Sequence, residues 1–263
     1  MGVLARKKVR VDDHLSESGL QQILLLLRDL YGRELRKGIY KLAYEHSNDV
    51  VHYSFLELVH DSQRALRLVR VGLLHDVVED FLDLNDLKSR LDLDHEETTL
   101  LSILSRNVGH PEGLDYWEGI LSSEDALIIK LGDRIANLLD LIEWVRIEEG
   151  FNSESLPLYH KYAGEYADLS PLLEDRHPEE KRTGGHPLDF QLPLLQALMD
   201  ILAALYAVHH MHPTTFASNT EEMFEAFDEL VKVINDLRRV RPQTDQEEPG
   251  WKVDFLDKNG SLH

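Results

Sequence analysis

The sequence predicts an all-α fold for this chain of 263 residues. Apolar residues recur at the three- and four-residue spacing of a helix face along most of the chain, and no stretch of any length alternates apolar and polar residues as a strand does. No internal repeat at a fixed period is visible. Hydrophobic residues make up 43% of the chain, which is enough for the core of one large domain, or of one domain with an appended piece.

Helices are predicted wherever this spacing persists, at residues 17–35, 47–60, 63–81, 84–106, 123–148, 155–169, 192–208 and 219–238. Pro, Gly and charged residues concentrate between 170 and 190 and predict a loop or linker there. We therefore expect a main domain at 1–169, a linker or loop at 170–190, a C-terminal helical extension at 191–240 and a poorly ordered tail at 241–263.

The composition narrows the classes of function. The formal net charge is −20, and the chain has no basic footprint for nucleic acid outside its first ten residues. No apolar run approaches the length of a membrane span without a charge, and no apolar stretch follows the basic N-terminal residues, so we expect neither a membrane span nor a signal peptide. The absence of cysteine excludes disulfides and thiolate metal ligands, and it is compatible with the cytoplasmic location that we expect.

The first chemical motif is the run His75-Asp76-Val77-Val78-Glu79-Asp80, at the end of an apolar predicted helix. Adjacent His75 and Asp76 can both reach one cation if the helix end presents them together. Glu79 returns to the face of His75 four residues later. Glu79 and Asp80 could then orient or deprotonate a water molecule. The alternative for an isolated His–Asp pair is a solvated helix end.

The second motif, Lys130-Leu131-Gly132-Asp133-Arg134-Ile135-Ala136-Asn137, lies inside an otherwise apolar predicted helix. Asp133 and Asn137 are four residues apart and share a face of that helix. A carboxylate in such a helix needs a partner, because an unpaired buried charge is very costly. A salt bridge from Arg134 or Lys130 could provide it, and so could a metal ion.

Together, with Asp133 57 residues after Asp76, the two motifs resemble the HD superfamily of phosphohydrolases, and more narrowly the RelA/SpoT-type alarmone hydrolases with their small stand-alone members. That family carries HD-x-x-ED followed by K-L-[AG]-D-R-x-x-N, and both patterns stand here in full. Two further runs are similar to family segments: Arg36-Lys37-Gly38, and Glu154-Ser155-Leu156 continuing to Tyr159 and Ala163. The resemblance covers roughly residues 17–168 and implies an HD-domain helical bundle with additional C-terminal helices.

The family's first metal ligand is a histidine ahead of the HD pair, and two residues compete for this role. His46 stands 29 residues before His75, with Arg36 at about the expected distance before it and Val50 four residues after it. His52 stands 23 residues before His75, closer to the family's usual spacing, but its preceding context fits badly. His46 is the preferred ligand and His52 the alternative, and neither is followed by the family's usual proline.

The resemblance implies a metal site of His46, His75, Asp76 and Asp133. Such a nitrogen and oxygen ligand set suits Mn²⁺, with Fe²⁺, Co²⁺, Zn²⁺ or Mg²⁺ as alternatives. It implies that Glu79 and Asp80 are catalytic, holding or deprotonating the attacking water. The resemblance also implies that the substrate is bound by Arg36, Lys37, Asn137 and Tyr159. Arg134 is expected instead to brace its own helix or an acidic neighbour. A solvated pair is the alternative for Arg36 and Lys37, and core packing is the alternative for Tyr159.

The implied reaction is hydrolysis of the 3′-pyrophosphate of (p)ppGpp, with a nucleotide as the substrate. Other HD nucleotide phosphohydrolases are alternatives: a 5′-deoxynucleotidase, which the run Glu45-His46-Ser47 resembles, or an NADPH or adenosine-alarmone hydrolase. A non-catalytic nucleotide-binding regulator is a further alternative. No synthetase module is recognisable in the C-terminal third. Its helices are candidates for a homo-oligomer interface, a cap on the site or a docking surface, and their sequence does not choose among these.

Overall fold

A computed structural model describes residues 17–106, 108, 114–179 and 182–239. Within these ranges the chain is helical and contains no strand, which confirms the predicted all-α class. The tail predicted at 241–263 lies outside the described residues. The predicted domain boundaries stay a prediction.

The helices follow one another in the order α1 Glu17–Tyr31, α2 Ala43–Tyr53, α3 Ser62–Leu74, α4 Val77–Asp80, α5 Leu84–Leu91, α6 His95–Leu104, α7 Leu114–Ser122, α8 Glu124–Ile147, α9 Ser155–Arg176, α10 Pro187–Met211 and α11 Phe216–Arg239. Short 3₁₀ turns occupy Leu56–Leu58 and Pro213–Thr215.

Two segments predicted as single helices are each divided in two. The segment 63–81 breaks at His75 and Asp76, between α3 and α4. The segment 84–106 breaks between α5 and α6, where Asp92 takes a left-handed conformation (φ 49°). Asp94 then starts α6, because its side chain accepts a hydrogen bond from the Glu97 backbone N–H at 2.7 Å. Asp92 thus ends α5 and Asp94 begins α6, although apolar spacing alone predicts one continuous helix.

The loop is shorter than the predicted range 170–190, because the helices on both sides extend into that range. Helix α9 continues through Pro171 to Arg176, because Leu169 and Leu173 are buried on either side of the proline and hold that turn against the core. Helix α10 begins at Pro187, and proline is well suited to the first position of a helix, where its missing N–H has no partner to lose.

The described residues divide into two compact units. The first contains residues up to Leu35 and residues 42–133, and α3 lies at its centre, packed against α1, α2 and α6. The α3 side chains of Leu68, Val71 and Leu74 have no exposed surface. Burial of these side chains against three neighbouring helices anchors the end of α3, where the first chemical motif begins.

The second unit contains residues 36–41 and the chain from Arg134 onward. Its helix α10 packs against α9 and α11 through buried leucines that recur at helical spacing: Leu195, Leu198, Leu202 and Leu205. In the part of the chain that the structure describes, α10 is the helix whose length and apolar composition would allow it to cross a membrane. The core helix of a soluble protein meets the same criteria, so this observation is weak and the expectation of no membrane stays a prediction.

Candidate metal centre

The break between α3 and α4 positions His75 and Asp76. His75 is the residue that follows the last turn of α3, and Asp76 precedes the first turn of α4. Leu73, Leu74 and Val77 around them are buried, so the chain turns at this point inside the core. Both residues keep right-handed helical backbone angles, and their side chains meet at the tips, where His75 Nε2 lies 3.0 Å from Asp76 Oδ2.

His46 reaches the same point from α2. Its side chain is buried, as are Val50 and Val51 further along that helix. Glu45 accepts a hydrogen bond from the Leu42 backbone N–H at 3.0 Å and holds the start of α2. The alternative ligand, His52, is only partly buried and its ring packs edge-on against Tyr53. The structure therefore brings His46, and not His52, to His75.

Asp133 lies on α8, and the preceding residue, Gly132, allows α8 to come close to α2. A Cβ atom added to Gly132 would lie 2.4 Å from Ser54 Oγ and 2.6 Å from the Val50 carbonyl oxygen. Contacts this short are not tolerated, so only glycine lets α8 approach α2 so closely here. The close approach brings the Asp133 carboxylate to His46.

Four ligand atoms converge at this point. His46 Nε2 lies 3.3 Å from Asp133 Oδ1 and 3.8 Å from Asp76 Oδ2. His75 Nε2 lies 3.0 Å from Asp76 Oδ2 and 3.8 Å from Asp133 Oδ1. His46, His75 and Asp76 form a group that could hold a metal ion. Asp133 stands beside this group, with its Oδ1 atom near both ring nitrogens.

The hydrogen bond of the other ring nitrogen of His75, Nδ1, indicates whether a cation fits beside Nε2. His75 Nδ1 lies 2.8 Å from the Gly72 carbonyl oxygen, which can only accept, so Nδ1 carries the proton and donates. In the neutral ring, Nε2 then presents its lone pair to the carboxylates of Asp76 and Asp133. A lone pair facing two carboxylates is unfavourable until a proton or a cation stands between them. Metal-binding histidines are commonly oriented in this way, so the group fits a divalent ion.

Lys130 fixes the other oxygen of Asp133. Its Nζ donates to Asp133 Oδ2 at 2.6 Å, and both side chains are buried. Of the partners that the sequence left open for Asp133, Lys130 binds Oδ2, while Oδ1 faces the two histidines. The Lys130 ammonium also lies 5.9 Å from the centre of the Tyr116 ring.

The charges at this point shift the pKa values of the residues that would bind the cation. Burial alone would raise the pKa of Asp133, but the cation of Lys130 and the histidines hold it well below its usual range. Burial would likewise raise the pKa of Asp76, but the adjacent His75 lowers it to about 2. The same carboxylates raise the pKa of His75 against the effect of its burial. Both aspartates are therefore anionic at neutral pH, as cation binding requires.

The two predicted catalytic acids follow in α4. Glu79 Oε1 accepts a hydrogen bond from the Arg106 backbone N–H at 2.6 Å, so its carboxylate is held in place. Asp80 is exposed. Partial burial raises the pKa of Asp80, and the charges of Asp76 and Glu79 raise it further. A carboxylate with a raised pKa is the better proton acceptor, and Asp80 is close enough to Asp76 to sense its charge.

In the second unit, the structure brings together two of the predicted substrate-binding residues. Arg36 Nη2 donates to Asn137 Oδ1 at 2.7 Å, and Arg36 Nε lies 2.8 Å from Asp140 Oδ2. Lys37 is exposed and lies 3.8 Å from Glu154, which is also exposed. Asp140, which the sequence interpretation did not single out, also accepts from Lys41 at 2.9 Å. In the sequence, the role of Asp140 could have been indicated only by its position three residues after Asn137.

The remaining predicted residue, Tyr159, packs among aromatic rings. It is buried and stacks on Tyr206 with ring centres 4.7 Å apart, and Phe151 lies 5.4 Å away. The structure therefore matches the core-packing alternative, and a contact with nucleotide stays a prediction. Arg134 forms an ion pair with Glu165 and lies over the Tyr162 ring, as expected for a residue that braces an acidic neighbour.

Comparison of the chain with models of known protein families gives no match, and comparison with curated proteins gives none either. The functional interpretation consequently depends on the motifs and on the geometry of this site.

Proposed function

We propose that the protein is a metal-dependent phosphohydrolase of the HD type that hydrolyses the 3′-pyrophosphate of guanosine alarmones, converting ppGpp and pppGpp to GDP and GTP plus pyrophosphate. The observation that carries the proposal is that the Nε2 atoms of His46 and His75 each lie 3.0–3.8 Å from a carboxylate oxygen of both Asp76 and Asp133. The order of these residues, and the acids after the HD pair, resemble the alarmone hydrolases.

The donor set supports a divalent ion with open coordination positions, of which Mn²⁺ is the proposed one. Such an ion would supply Lewis acidity to a phosphoryl oxygen and make water more acidic. The residues of the chain then have separate tasks. Gly72 fixes the tautomer of His75, and Lys130 fixes the orientation of Asp133. Asp80 accepts the proton of the attacking water, and Glu79, held by the Arg106 backbone, positions that water.

The proposed substrate is supported by motifs beyond the metal ligands. The HD-x-x-ED run and the K-L-G-D-R-x-x-N run both resemble the alarmone-hydrolysing branch. Arg36 and Asn137, to which that resemblance assigns nucleotide contacts, lie in hydrogen-bond contact with each other. A guanidinium that is already oriented loses little conformational freedom when it binds an anion or stacks on a base.

The first experiment measures pyrophosphate release from ppGpp by the metal-stripped full-length chain, with and without added Mn²⁺, and with Asp76→Ala as the control. The proposal expects Mn²⁺-dependent release that the substitution abolishes. Bound Mn²⁺ without any release would leave the metal centre in place and contradict the alarmone assignment.

A second candidate is a 5′-deoxynucleotidase, and one observation favours it. The structure brings His46 rather than His52 to the metal-ligand group, and Glu45-His46-Ser47 is the run that resembles that branch. The two candidates differ in their products. A deoxynucleoside 5′-monophosphate would yield orthophosphate and a nucleoside, whereas ppGpp would yield pyrophosphate, so the same Mn²⁺ assay with both substrates separates them.

A further inference from the structure

Residues 36–41, which we call the 36–41 loop, are held firmly by the rest of the second unit. The Arg36 backbone N–H donates to the Lys41 carbonyl oxygen at 2.8 Å and closes the loop. Asp140 on α8 binds both ends, with one carboxylate oxygen 2.8 Å from Arg36 Nε and the other 2.9 Å from Lys41 Nζ. Asn137 accepts a further hydrogen bond from Arg36.

The middle of the loop is fixed by packing. Gly38 has a φ of +75°, which favours glycine, and a Cβ atom added there would lie 1.9 Å from the indole ring of Trp144. Ile39 is buried beside it. The loop therefore lies directly on the α8 surface, and its backbone has little freedom to move.

Two side chains of this fixed loop nevertheless project into solvent. Tyr40 is 93% exposed, more than any other large hydrophobic residue among those that the structure describes. The Lys37 side chain is 83% exposed. An exposed ring on a mobile loop would need no explanation, but this ring stands on a backbone secured by four polar contacts and a glycine–tryptophan contact.

The 36–41 loop carries positive charge, opposite in sign to the net charge of the whole chain. The loop carries three cations, Arg36, Lys37 and Lys41, and Asp140 can neutralise only one positive charge while it binds two of them. Exposed Glu154, 3.8 Å from Lys37, is a weak partner in water. A local positive charge on a chain with a net charge of −20 attracts an anion to this place.

We propose that the 36–41 loop is a preorganised platform for a nucleotide, on which Tyr40 stacks against the base and Lys37 contacts a phosphate group. An aromatic face accepts any base, and a neighbouring ammonium adds attraction for phosphate. The inference rests on the proposed function in one respect, since it takes a nucleotide as the ligand. It adds a base-stacking ring that the motif resemblance does not include.

The test is calorimetric titration of the full-length chain with GDP and, separately, with guanosine. Tyr40→Ala should weaken the binding of both probes by about tenfold, a loss typical of one base–aromatic stack. Tyr40→Phe should keep the affinity, and Tyr40→Leu, which is apolar but not aromatic, should lose it. Lys37→Gln should weaken GDP binding and leave guanosine binding unchanged. Leu25→Ala, an exposed apolar residue in the first unit, is the matched control and should change neither.

Two results would overturn the platform: no binding of either probe, or equal binding by the wild-type protein, Tyr40→Ala and Tyr40→Leu. Hydrolysis of ppGpp with a KM that Tyr40→Ala leaves unchanged would also remove the platform while the proposed function stands. Conversely, Tyr40-dependent binding of GDP by a protein that does not hydrolyse ppGpp would support the platform and contradict the proposed reaction.

Discussion

The Nε2 atom of His75 lies 3.0 Å from Oδ2 of Asp76, although the two residues are consecutive and flank the boundary between two helices. Consecutive side chains in a helix point about 100° apart. Both residues keep right-handed helical backbone angles, so the contact is made at the tips of the side chains, and the hydrogen bond from His75 Nδ1 to the Gly72 carbonyl oxygen directs the ring. This contact between neighbouring side chains lies at the centre of the proposed metal site.

The affinity for Mn²⁺ of two variants tests whether His46 or His52 is the metal ligand. His46→Gln should lower the affinity for Mn²⁺ by more than about tenfold, because even the outer hydrogen-bond partners of metal ligands contribute that much. His52→Gln should leave it unchanged, because the ring of His52 packs on Tyr53 outside the group. Titration of the metal-stripped proteins with Mn²⁺ measures both. The reverse pattern would assign the ligand to His52.

Lys130→Met should destabilise the metal-free protein by about 3 kcal/mol, because it leaves the buried Asp133 without its ammonium partner. Mn²⁺ should restore part of the loss, since a bound cation again faces that carboxylate. Urea unfolding with and without Mn²⁺ measures the two quantities. A loss that is equal in both conditions would show that no ion binds beside Asp133.

Gly132→Ala should destabilise the protein by about 1–3 kcal/mol, the range for overpacked cores, and should also weaken Mn²⁺ binding. The added methyl group collides with Ser54 Oγ and the Val50 carbonyl oxygen and pushes Asp133 away from His46. Gly164→Ala in α9 is the matched control, because an added Cβ atom there meets nothing within 4 Å. That substitution should stabilise the helix by up to about 1 kcal/mol. If the two variants behave alike in thermal unfolding and Mn²⁺ titration, the close approach of α8 to α2 does not matter.

The loop before α10 should become less stable in acid. Burial alone would raise the pKa of Asp189, but hydrogen bonds from His177 and from the backbone N–H groups of Thr183 and His186 lower it. A lowered folded pKa stabilises the protein above the unfolded value of about 3.9, and the contribution is lost as the pH falls through the folded pKa.

Asp189→Asn should accordingly cost about 2 kcal/mol at neutral pH, where the wild-type carboxylate is charged and accepts several bonds. The difference between the two proteins should shrink as the pH falls below about 4. Thermal unfolding from pH 3 to pH 7 measures it. A difference that stays constant over this range would show that the charge of Asp189 contributes nothing.

Much of the helical architecture could be predicted from apolar spacing, although no helix was predicted at α7 and the ends of α2, α9 and α10 differ from the predicted ones by up to about seven residues. Other differences from the predicted helices arise at single residues whose effect apolar spacing does not include. Asp92 and Asp94 divide a predicted helix through a left-handed turn and a cap. Pro171 was counted as a breaker, but burial of Leu169 and Leu173 outweighs its missing hydrogen bond.

The sequence by itself determined the all-α class and the residue types of the proposed nitrogen and oxygen metal site, because helical periodicity and ligand chemistry are local properties of the chain. Tertiary structure alone decided that His46 joins His75, that Lys130 binds one oxygen of Asp133 while the other faces the histidines, and that Asp140 fixes the 36–41 loop. These contacts join residues from separate elements or select one among several local partners. Their geometry depends on how closely helices pack, as Gly132 shows, and no spacing along the chain specifies that distance.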